Sequence, residues 1–362
     1  MITSLAFHLP QFHQIPQNDA WWGAGFTEWT HLRRARRWSR SHVIRRPVPP
    51  LGEYCLTDPA TLELQWDIAS RYGIDGFAVW DYWFGGGRQL LERPIEMVLE
   101  RGLRFRYCLG WANHSWYDKS NNRLLCRQEY LGEEDYRRYF ERACRHFESD
   151  NYVKIDGRPV FVIYAPHEIP DWSFFFDLWR KLARERGFPD LYLVADRIWE
   201  GEPMIDHLDG YSNAFRFLTR RNKWIVNYVK EELSRLSGAA IGPRWFDFRR
   251  LMKDLVPADA TGKFAPTVIT GWDTTPRHGR RGMVFEHLDL DAFRGQLERA
   301  SRHFARFPDS THLLFLKSWN EWAEGNVLEP DSVYGTRMLE EFKAFKSHDP
   351  HGDRPLPAAQ AA

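Results

Sequence analysis

The sequence predicts an α/β protein built as a single (β/α)8 (TIM) barrel with long βα loops. Eight short apolar runs recur along the 362 residues, and amphipathic segments with helical periodicity separate most of them. Strands that alternate with helices through a whole chain are typical of a parallel sheet. Eight repeats, with no glycine-rich phosphate turn after the first strand, favour a barrel over a doubly wound sheet.

The elements can be assigned in chain order. Strands are predicted within the apolar runs 4–10, 74–84, 104–113, 158–166, 191–196, 208–215, 264–273 and 312–322. Helices are predicted within 57–73, 132–148, 171–187 and 289–307. The first of these helices has cap residues at its start, Pro59 in its first turn and Gly73 at its end, which are the ordinary start and stop signals.

Two stretches exceed a minimal barrel. Residues 11–56 form a long first βα loop, and residues 216–262 form a basic, aromatic insert that we expect to be helical. Long loops in a compact domain usually serve as lids or binding walls. We therefore assign residues 1–345 to one catalytic barrel and expect residues 346–362, which have too few apolar residues to pack, to be a disordered tail.

The composition excludes several classes of protein. The formal net charge is +1, so no overall field attracts nucleic acid. The four cysteines, Cys55, Cys108, Cys126 and Cys144, contain no C-x-x-C pair, and the histidines and acidic residues form no close metal-ligand motif. The amino terminus does not resemble a signal peptide, and no apolar run approaches the length of a membrane span. We expect a cytoplasmic protein with no metal and no stable membrane insertion.

Aromatic and polar residues accumulate where the predicted strands end, which is where barrel enzymes place their chemistry. Each aromatic residue alone fits the core equally well, but the recurrence at nearly every strand end favours a site. A tryptophan beside an amide, as in 111–113 and 319–320, combines a stacking surface with a donor and acceptor for sugar hydroxyls. We expect substrate contacts from His8, Gln11, Trp29, Asp81, Tyr82, Trp83, Trp111, Asn113, Trp116, Tyr164, Trp272, Trp319, Asn320 and Trp322.

The stretch SWNEWAEG at 318–325 contains two carboxylates three residues apart, Glu321 and Glu324. In an extended chain they would point to opposite faces, about 10 Å apart. If the chain turns at 322–323, both face the same pocket and can act as an acid–base pair. A separation of about 5–5.5 Å suits a retaining glycosidase and about 6.5–9.5 Å an inverting one; the sequence contains the pair but not the distance.

Four segments, 9–29, 72–94, 110–116 and 318–331, resemble the WbsX-type domain. This family of bacterial proteins is often encoded with cell-surface polysaccharide genes and is related to glycoside hydrolase family 99, the endo-α-mannosidases. The resemblance covers residues from about 4 to about 340 and implies a barrel that acts on glycans without a metal or other cofactor. It implies that Glu321 takes the proton of a sugar 2-hydroxyl, that Glu324 is the general acid, and that the anomeric configuration is retained through an anhydro-sugar.

The chain also departs from this family. VWDYWF at 79–84 stands where relatives more often have a run of tyrosines, and His114 stands where an acid is frequent. Seven arginines within 33–46 are either a solvated basic loop or a binding site for phosphate, on a nucleotide-sugar, a lipid-linked glycan or a membrane.

Three functions remain open at this stage. The first is a retaining hydrolase of a mannose-like or bacterial surface polysaccharide. The second is a glycosyltransferase of polysaccharide assembly, which a cytoplasmic location favours, although no nucleotide-sugar Rossmann signature is present. The third is a glycan-binding domain without catalysis, against which the presence of both glutamates argues. In each case the partner is an oligo- or polysaccharide, and the oligomeric state is undetermined.

Overall fold

The computed structural model describes residues 2–118, 123–215, 225–237 and 239–348. Seven of the eight predicted runs contain one strand of the main sheet each, and the first run, 4–10, overlaps a strand that begins two residues earlier. In chain order these strands are β1 (Ile2–His8), β2 (Gly76–Trp83), β3 (Tyr107–Trp111), β4 (Arg158–Ile163), β5 (Tyr192–Ala195), β6 (Gly210–Tyr211), β7 (Thr267–Ile269) and β8 (His312–Lys317).

The eight strands lie parallel in the order β6, β5, β4, β3, β2, β1, β8, β7. The remaining gap, between β6 and β7, is bridged at Tyr211 and Phe264. There the N–H of Tyr211 donates to the carbonyl of Lys263 over 3.0 Å, and the N–H of Ala265 donates to the carbonyl of Tyr211 over 2.8 Å. These bonds join the two ends of the curled sheet, so the predicted barrel is confirmed.

The described residues form eleven α-helices. They are α1 (Pro16–Trp22), α2 (Glu28–Arg34), α3 (Pro59–Arg71), α4 (Arg93–Arg101), α5 (Glu133–Phe147), α6 (Trp172–Glu185), α7 (Ile225–Ser237), α8 (Phe248–Leu251), α9 (Thr275–His278), α10 (Leu290–Arg306) and α11 (Arg337–Ser347). After β5 the chain has only the 3-10 helix Pro203–His207 before β6 begins.

Local signals account for the ends of the predicted helices. The side chain of Asp58 accepts the N–H of Ala60 at the start of α3, and that of Asp289 accepts the N–H of Ala292 at the start of α10. Helix α11 continues to Ser347, which is past the predicted start of the tail. Residues 349–362 of that tail lie outside the described part.

The core explains much of the aromatic content. Inside the barrel, Phe7 of β1 stacks on Trp80 at 4.6 Å and on Phe315 at 5.0 Å between ring centroids. Outside it, other rings fill the layer between the strands and helices α5 and α6; these include Trp83, Trp111, Tyr139, Phe175 and Trp179. A high tryptophan count is therefore as much a packing feature as a sign of a sugar site.

The insert is only partly helical. Residues 216–224 and 238 of the predicted segment lie outside the described part. The remainder contains α7, the strand Arg244–Asp247 and α8. That strand pairs in parallel with Met283–Glu286, a contact between distant segments that no local pattern indicates.

Candidate active site

The chain turns sharply after β8 and places Glu321 and Glu324 together. Asn320–Glu321 pairs antiparallel with Asn326–Val327, and the 3-10 turn Trp322–Glu324 connects the two. The charge of Glu324 acts on the carboxyl of Glu321, and both carboxylates act on the hydroxyl of Tyr82, so the two side chains face the same region. Gly325 closes the turn with φ +61°, and a Cβ there would approach Asp273 Cβ to 2.8 Å, so glycine is required.

Glu321 is buried in a polar niche. Its Oε1 accepts a hydrogen bond from Trp80 Nε1 over 3.1 Å and lies 3.6 Å from Lys317 Nζ. Burial raises the pKa of Glu321, Lys317 opposes this rise, and the charge of Glu324 adds to it. A carboxyl whose pKa is raised toward neutrality is suited to proton transfer.

Glu324 is held by a cation from another loop. Arg277 of α9 forms an ion pair with Glu324 through Nη1 and a second ion pair with Glu28 of α2, where Nη2 lies 2.9 Å from Oε2. Glu28 begins α2, and its N–H donates to the carbonyl of Gln11 over 3.1 Å. One guanidinium thus joins the first βα loop, the loop after β7 and the turn after β8.

Aromatic side chains form the walls around the two carboxylates. Tyr82 is buried, and its burial and Glu321 both raise its pKa. The half-buried Tyr164 packs edge-on against Trp80 at 5.5 Å between centroids, and Trp116 packs edge-on against Tyr82 at 5.0 Å. Trp272 is 5% exposed and lies beside the same group of rings. The structure therefore brings four predicted contacts together: Tyr82, Trp116, Tyr164 and Trp272.

Three other predicted contacts lie on the opposite face of the strands. The carboxylate of Asp81 accepts from Tyr139 over 2.7 Å and from Arg142 over 2.9 Å, while Trp83 stacks on Tyr139. Trp111 is 1% exposed and donates to the carbonyl of Trp83. Side chains alternate along a strand, so the inward positions of β2 are those of Trp80 and Tyr82.

Two predicted amides hold neighbouring loops to each other. Asn113 donates to the carbonyl of Ala165 over 2.7 Å and accepts its N–H over 2.8 Å. Asn320 does the same with Leu9, over 3.1 Å and 2.7 Å. Because both are fully buried, these bonds fix the ends of β3 and β8 to adjacent strand ends.

A buried polar layer lies beneath the glutamate pair. Glu329 accepts from Trp322 Nε1 over 2.6 Å, from Gln65 Nε2 over 2.7 Å and from the Tyr54 hydroxyl over 3.0 Å. Gln65 Oε1 in turn lies 3.0 Å from His8 Nε2. Burial raises the pKa of Glu329 to about 8 and lowers that of His8 to about 4.

Two more predicted contacts, Trp29 and Trp319, belong to this layer as well. Trp29 donates to the carbonyl of Tyr54 over 2.7 Å and lies 6.0 Å from the Trp322 ring. Trp319 is fully buried against Phe77. The layer therefore supports the turn that carries Glu321 and Glu324.

Sequence reasoning missed five polar or aromatic residues of the site region: Glu28, Trp80, Arg277, Lys317 and Glu329. For two of them a signal was present. Trp80 lies two positions before Tyr82 on β2, so its side chain is expected on the same face. Lys317 likewise shares the face of Phe315, two positions earlier on β8. No local pattern indicates Arg277, whose partner Glu28 is 249 positions away.

The arginine-rich segment is largely occupied by contacts within the protein. Arg45 is buried; it donates to the carbonyls of Thr270 and Val327 and pairs with Asp331 at 2.6 Å. Arg46 donates to the carbonyl of Leu32, and Arg37 to that of His42. Arg45 therefore anchors the first loop beside the 318–331 segment, and Arg46 and Arg37 hold the loop to itself.

Two further observations concern the described residues as a whole. Among residues 2–118, 123–215, 225–237 and 239–348, no group of three or more His, Cys, Asp or Glu side chains is placed to hold a metal ion. Within the same ranges, no helix combines the length and apolarity needed to cross a bilayer.

The molecule is a (β/α)8 barrel with paired carboxylates and aromatic walls at the carboxyl end of its last strand, which is the face where barrel enzymes place their chemistry. Comparison with known families names the class of protein. Residues 4–342 match the family model described as Glycosyltransferase WbsX, so the chain belongs to that family.

Curated relatives include WxcX, an uncharacterised protein of Xanthomonas campestris pv. campestris. The version from strain B100 is 31% identical over 344 residues, which is 93% of this chain and 48% of that protein. The version from strain ATCC 33913 matches equally, at 31% identity and the same coverage. The chain thus spans about half the length of the curated relatives it matches.

Solved structures share the fold. The glycoside hydrolase family 99 endo-α-mannosidase of Bacteroides thetaiotaomicron aligns over 97% of this chain and 98% of its own, with 14% identity and a TM-score of 0.57. A structure described as a glycoside hydrolase-like protein aligns over 95% of this chain and 93% of its own, with 15% identity and a TM-score of 0.55. The family predicted from the motifs is confirmed.

Proposed function

We propose that the chain is a retaining, glycoside hydrolase-like enzyme that cleaves glycosidic bonds of a mannose-like or bacterial surface polysaccharide. The observation that carries the proposal is that Glu321 and Glu324, at the turn after β8, lie within each other's field and beside the rings of Trp80 and Tyr82. Neighbouring carboxylates in different surroundings divide the roles of acid and base.

The first step uses Glu321 as base. Its carboxylate takes the proton of the sugar 2-hydroxyl, and the resulting oxygen attacks the anomeric carbon to close an anhydro-sugar. The bond from that carbon to the leaving oxygen breaks, and Glu324 delivers a proton to this oxygen. In the second step Glu324 takes a proton from water and the water oxygen attacks the anomeric carbon. The bond from that carbon to the 2-oxygen breaks, and Glu321 returns its proton to the 2-oxygen. The two inversions give net retention.

Arg277 imposes a condition on this mechanism. A general acid must reach the leaving oxygen to deliver its proton, whereas the guanidinium of Arg277 occupies the carboxyl of Glu324 in this structure. We propose that the leaving oxygen of the substrate takes the place of Arg277 next to Glu324. Glu28, 2.9 Å from the other guanidinium nitrogen, then retains the arginine.

The substrate surface follows from the placement of the aromatic residues. We propose that Tyr82, Trp116, Tyr164 and Trp272 contact the sugar rings, since they surround the carboxylates and Trp116 and Tyr164 keep exposed edges. Gln11 is half-buried beside the start of α2 and extends this surface. The buried members of the predicted set support the site from below.

The family description favours a second candidate, glycosyl transfer. A barrel with an acid–base pair can pass a sugar from an activated donor to an acceptor hydroxyl instead of to water. The family model is described as a glycosyltransferase, which is the observation in favour of this alternative.

One experiment separates the candidates and tests the residues. The protein is incubated with mannose-rich and bacterial surface oligosaccharides, with and without nucleotide-sugars, and the products are analysed by mass spectrometry. We expect shorter oligosaccharides without any nucleotide-sugar, and a loss of at least ~100-fold in turnover for Glu324→Gln with glycan binding retained, because the amide keeps the shape but donates no acidic proton.

Two results would count against this account. Products that form only with a nucleotide-sugar would establish the transferase. Wild-type turnover in Glu324→Gln would remove Glu324 from the role of acid. Trp179→Phe is the control for general effects of core substitution. Trp179 is buried in the layer between the barrel and the helices, far from the cleft.

A further inference from the structure

Lys317 is a buried cation at the carboxyl end of β8. It is 3% exposed, and its Nζ lies 3.6 Å from Glu321 Oε1. A lysine is seldom buried to this degree without a partner, because removing an ammonium from water is costly. Its location therefore needs a compensating set of contacts, and it points to a role at the neighbouring carboxylate.

Four aromatic rings surround this ammonium. Nζ lies 5.3 Å from the ring centroid of Phe7, 5.6 Å from Trp80, 5.4 Å from Phe215 and 5.8 Å from Trp272. The negative faces of aromatic rings attract a cation, and the attraction is stronger in a desolvated setting. The rings come from four different parts of the barrel, so they fix the ammonium from several directions.

Trp80 connects the ammonium to Glu321. Its ring is one of the four around Lys317, and its Nε1 donates to the same oxygen, Glu321 Oε1, over 3.1 Å. The carboxylate thus has an indole N–H and an ammonium beside one oxygen. This arrangement orients Glu321 and leaves Oε2 for other contacts.

The surrounding charges act in opposite directions on Glu321. Burial and Glu324 favour its protonated form, whereas Lys317 and Arg277 favour the carboxylate. Asp196, at the end of β5, also lies within the field of Lys317. The titratable and charged groups that face this niche are Tyr82, Tyr164, Asp196, Arg277, Lys317 and Glu324.

We propose that Lys317 is a positioning residue for Glu321, whose carboxylate it orients and keeps ionised so that Glu321 serves as the base and Glu324 as the acid. The assignment of Glu321 as base and Glu324 as acid rests on the proposed function. Its physical content, the charge state of Glu321, can be measured without a substrate.

The test compares Lys317→Met with the wild-type protein. Methionine fills a similar volume without charge. The variant therefore lacks the ammonium that opposes the rise in the pKa of Glu321 caused by burial. We expect the titration midpoint of Glu321 to move upward by about one pH unit or more. Infrared difference spectra identify its carboxyl band as the one absent from Glu321→Gln. On a cleaved oligosaccharide, the acidic limb of the kcat/KM profile should move by the same amount, with about a tenfold loss on that side.

Two further variants complete the test. Lys317→Arg keeps the charge and should leave the midpoint close to wild type. Lys346→Met is the matched control, because this lysine pairs with Asp75 at 2.7 Å near the start of β1, at the other end of the barrel. If Lys317→Met does not fold, Lys317→Gln removes the charge with a polar side chain, and its midpoint is measured instead.

The outcomes are separable. An unchanged midpoint in the folded Met or Gln variant, or an equal shift in Lys346→Met, would overturn the role of Lys317. A wild-type protein that cleaves no oligosaccharide would defeat the proposed function and leave the infrared result standing.

Discussion

At the residue scale, Arg277 is the contact on which the geometry of Glu324 depends. Its guanidinium lies between Glu324 and the buried Glu28, and the ion pairs connect α2, α9 and the turn after β8. Removing the cation would leave two carboxylates facing each other with little access to water. A paired charge in this position holds the turn and limits how Glu324 can move.

We expect Arg277→Met to lower the free energy of unfolding by about 3 kcal/mol, the usual effect of breaking a largely buried pair from one side. Urea unfolding measures the change. The double variant Arg277→Met with Glu28→Gln should recover part of the stability, since one of the two unpaired charges is removed. Unaltered stability in Arg277→Met would show that the ion pairs contribute little to the turn.

At the scale of single elements, Glu329 fixes the segment 318–331, of which it is part, to the neighbouring loop and helix. Its carboxyl receives hydrogen bonds from Trp322 inside the segment and from Tyr54 and Gln65 outside it. The sequence motif indicated Glu321 and Glu324. Glu329, the third glutamate of the segment, supports the turn that carries them. A buried carboxyl with a raised pKa also makes the stability of this region depend on pH.

The sign of that dependence follows from the shifts. The pKa of Glu329 is about 8 in the folded protein against 4.5 ordinarily, so its contribution is complete below pH 4.5 and is lost as the pH rises to 8. The pKa of His8 is lowered to about 4, so His8 lowers the free energy of unfolding as the pH falls below 6.5. Between pH 6.5 and 8 the free energy of unfolding should therefore fall.

We expect Glu329→Gln to flatten this fall, by an amount on the order of 2 kcal/mol across the interval. Chemical unfolding at several pH values measures it. Glu340→Gln, an exposed change on α11, is the control and should leave the slope as in the wild type. An identical slope in Glu329→Gln and wild type would show that Glu329 titrates outside this range.

At the scale of the whole molecule, the barrel and its eight strands could be predicted because apolar runs and helix caps are local signals. The inward and outward faces of β2 could also have been separated by alternation, which places Trp80 and Tyr82 in the cleft and Asp81 against α5. What could not be predicted depends on contacts between distant segments. The Arg277–Glu28 pair and the pairing of Arg244–Asp247 with Met283–Glu286 form only when the chain has folded.

As a catalyst, the molecule is proposed to break a glycosidic bond with retention through the carboxylate pair at the end of the barrel. The most direct measurement follows the anomeric protons by NMR during digestion of an oligosaccharide that the wild-type protein cleaves, beside Glu321→Gln and Glu324→Gln. We expect the first product formed to keep the anomeric configuration of the substrate and both variants to form it at least ~100-fold more slowly. An inverted first product, or unchanged cleavage by either variant, would contradict it.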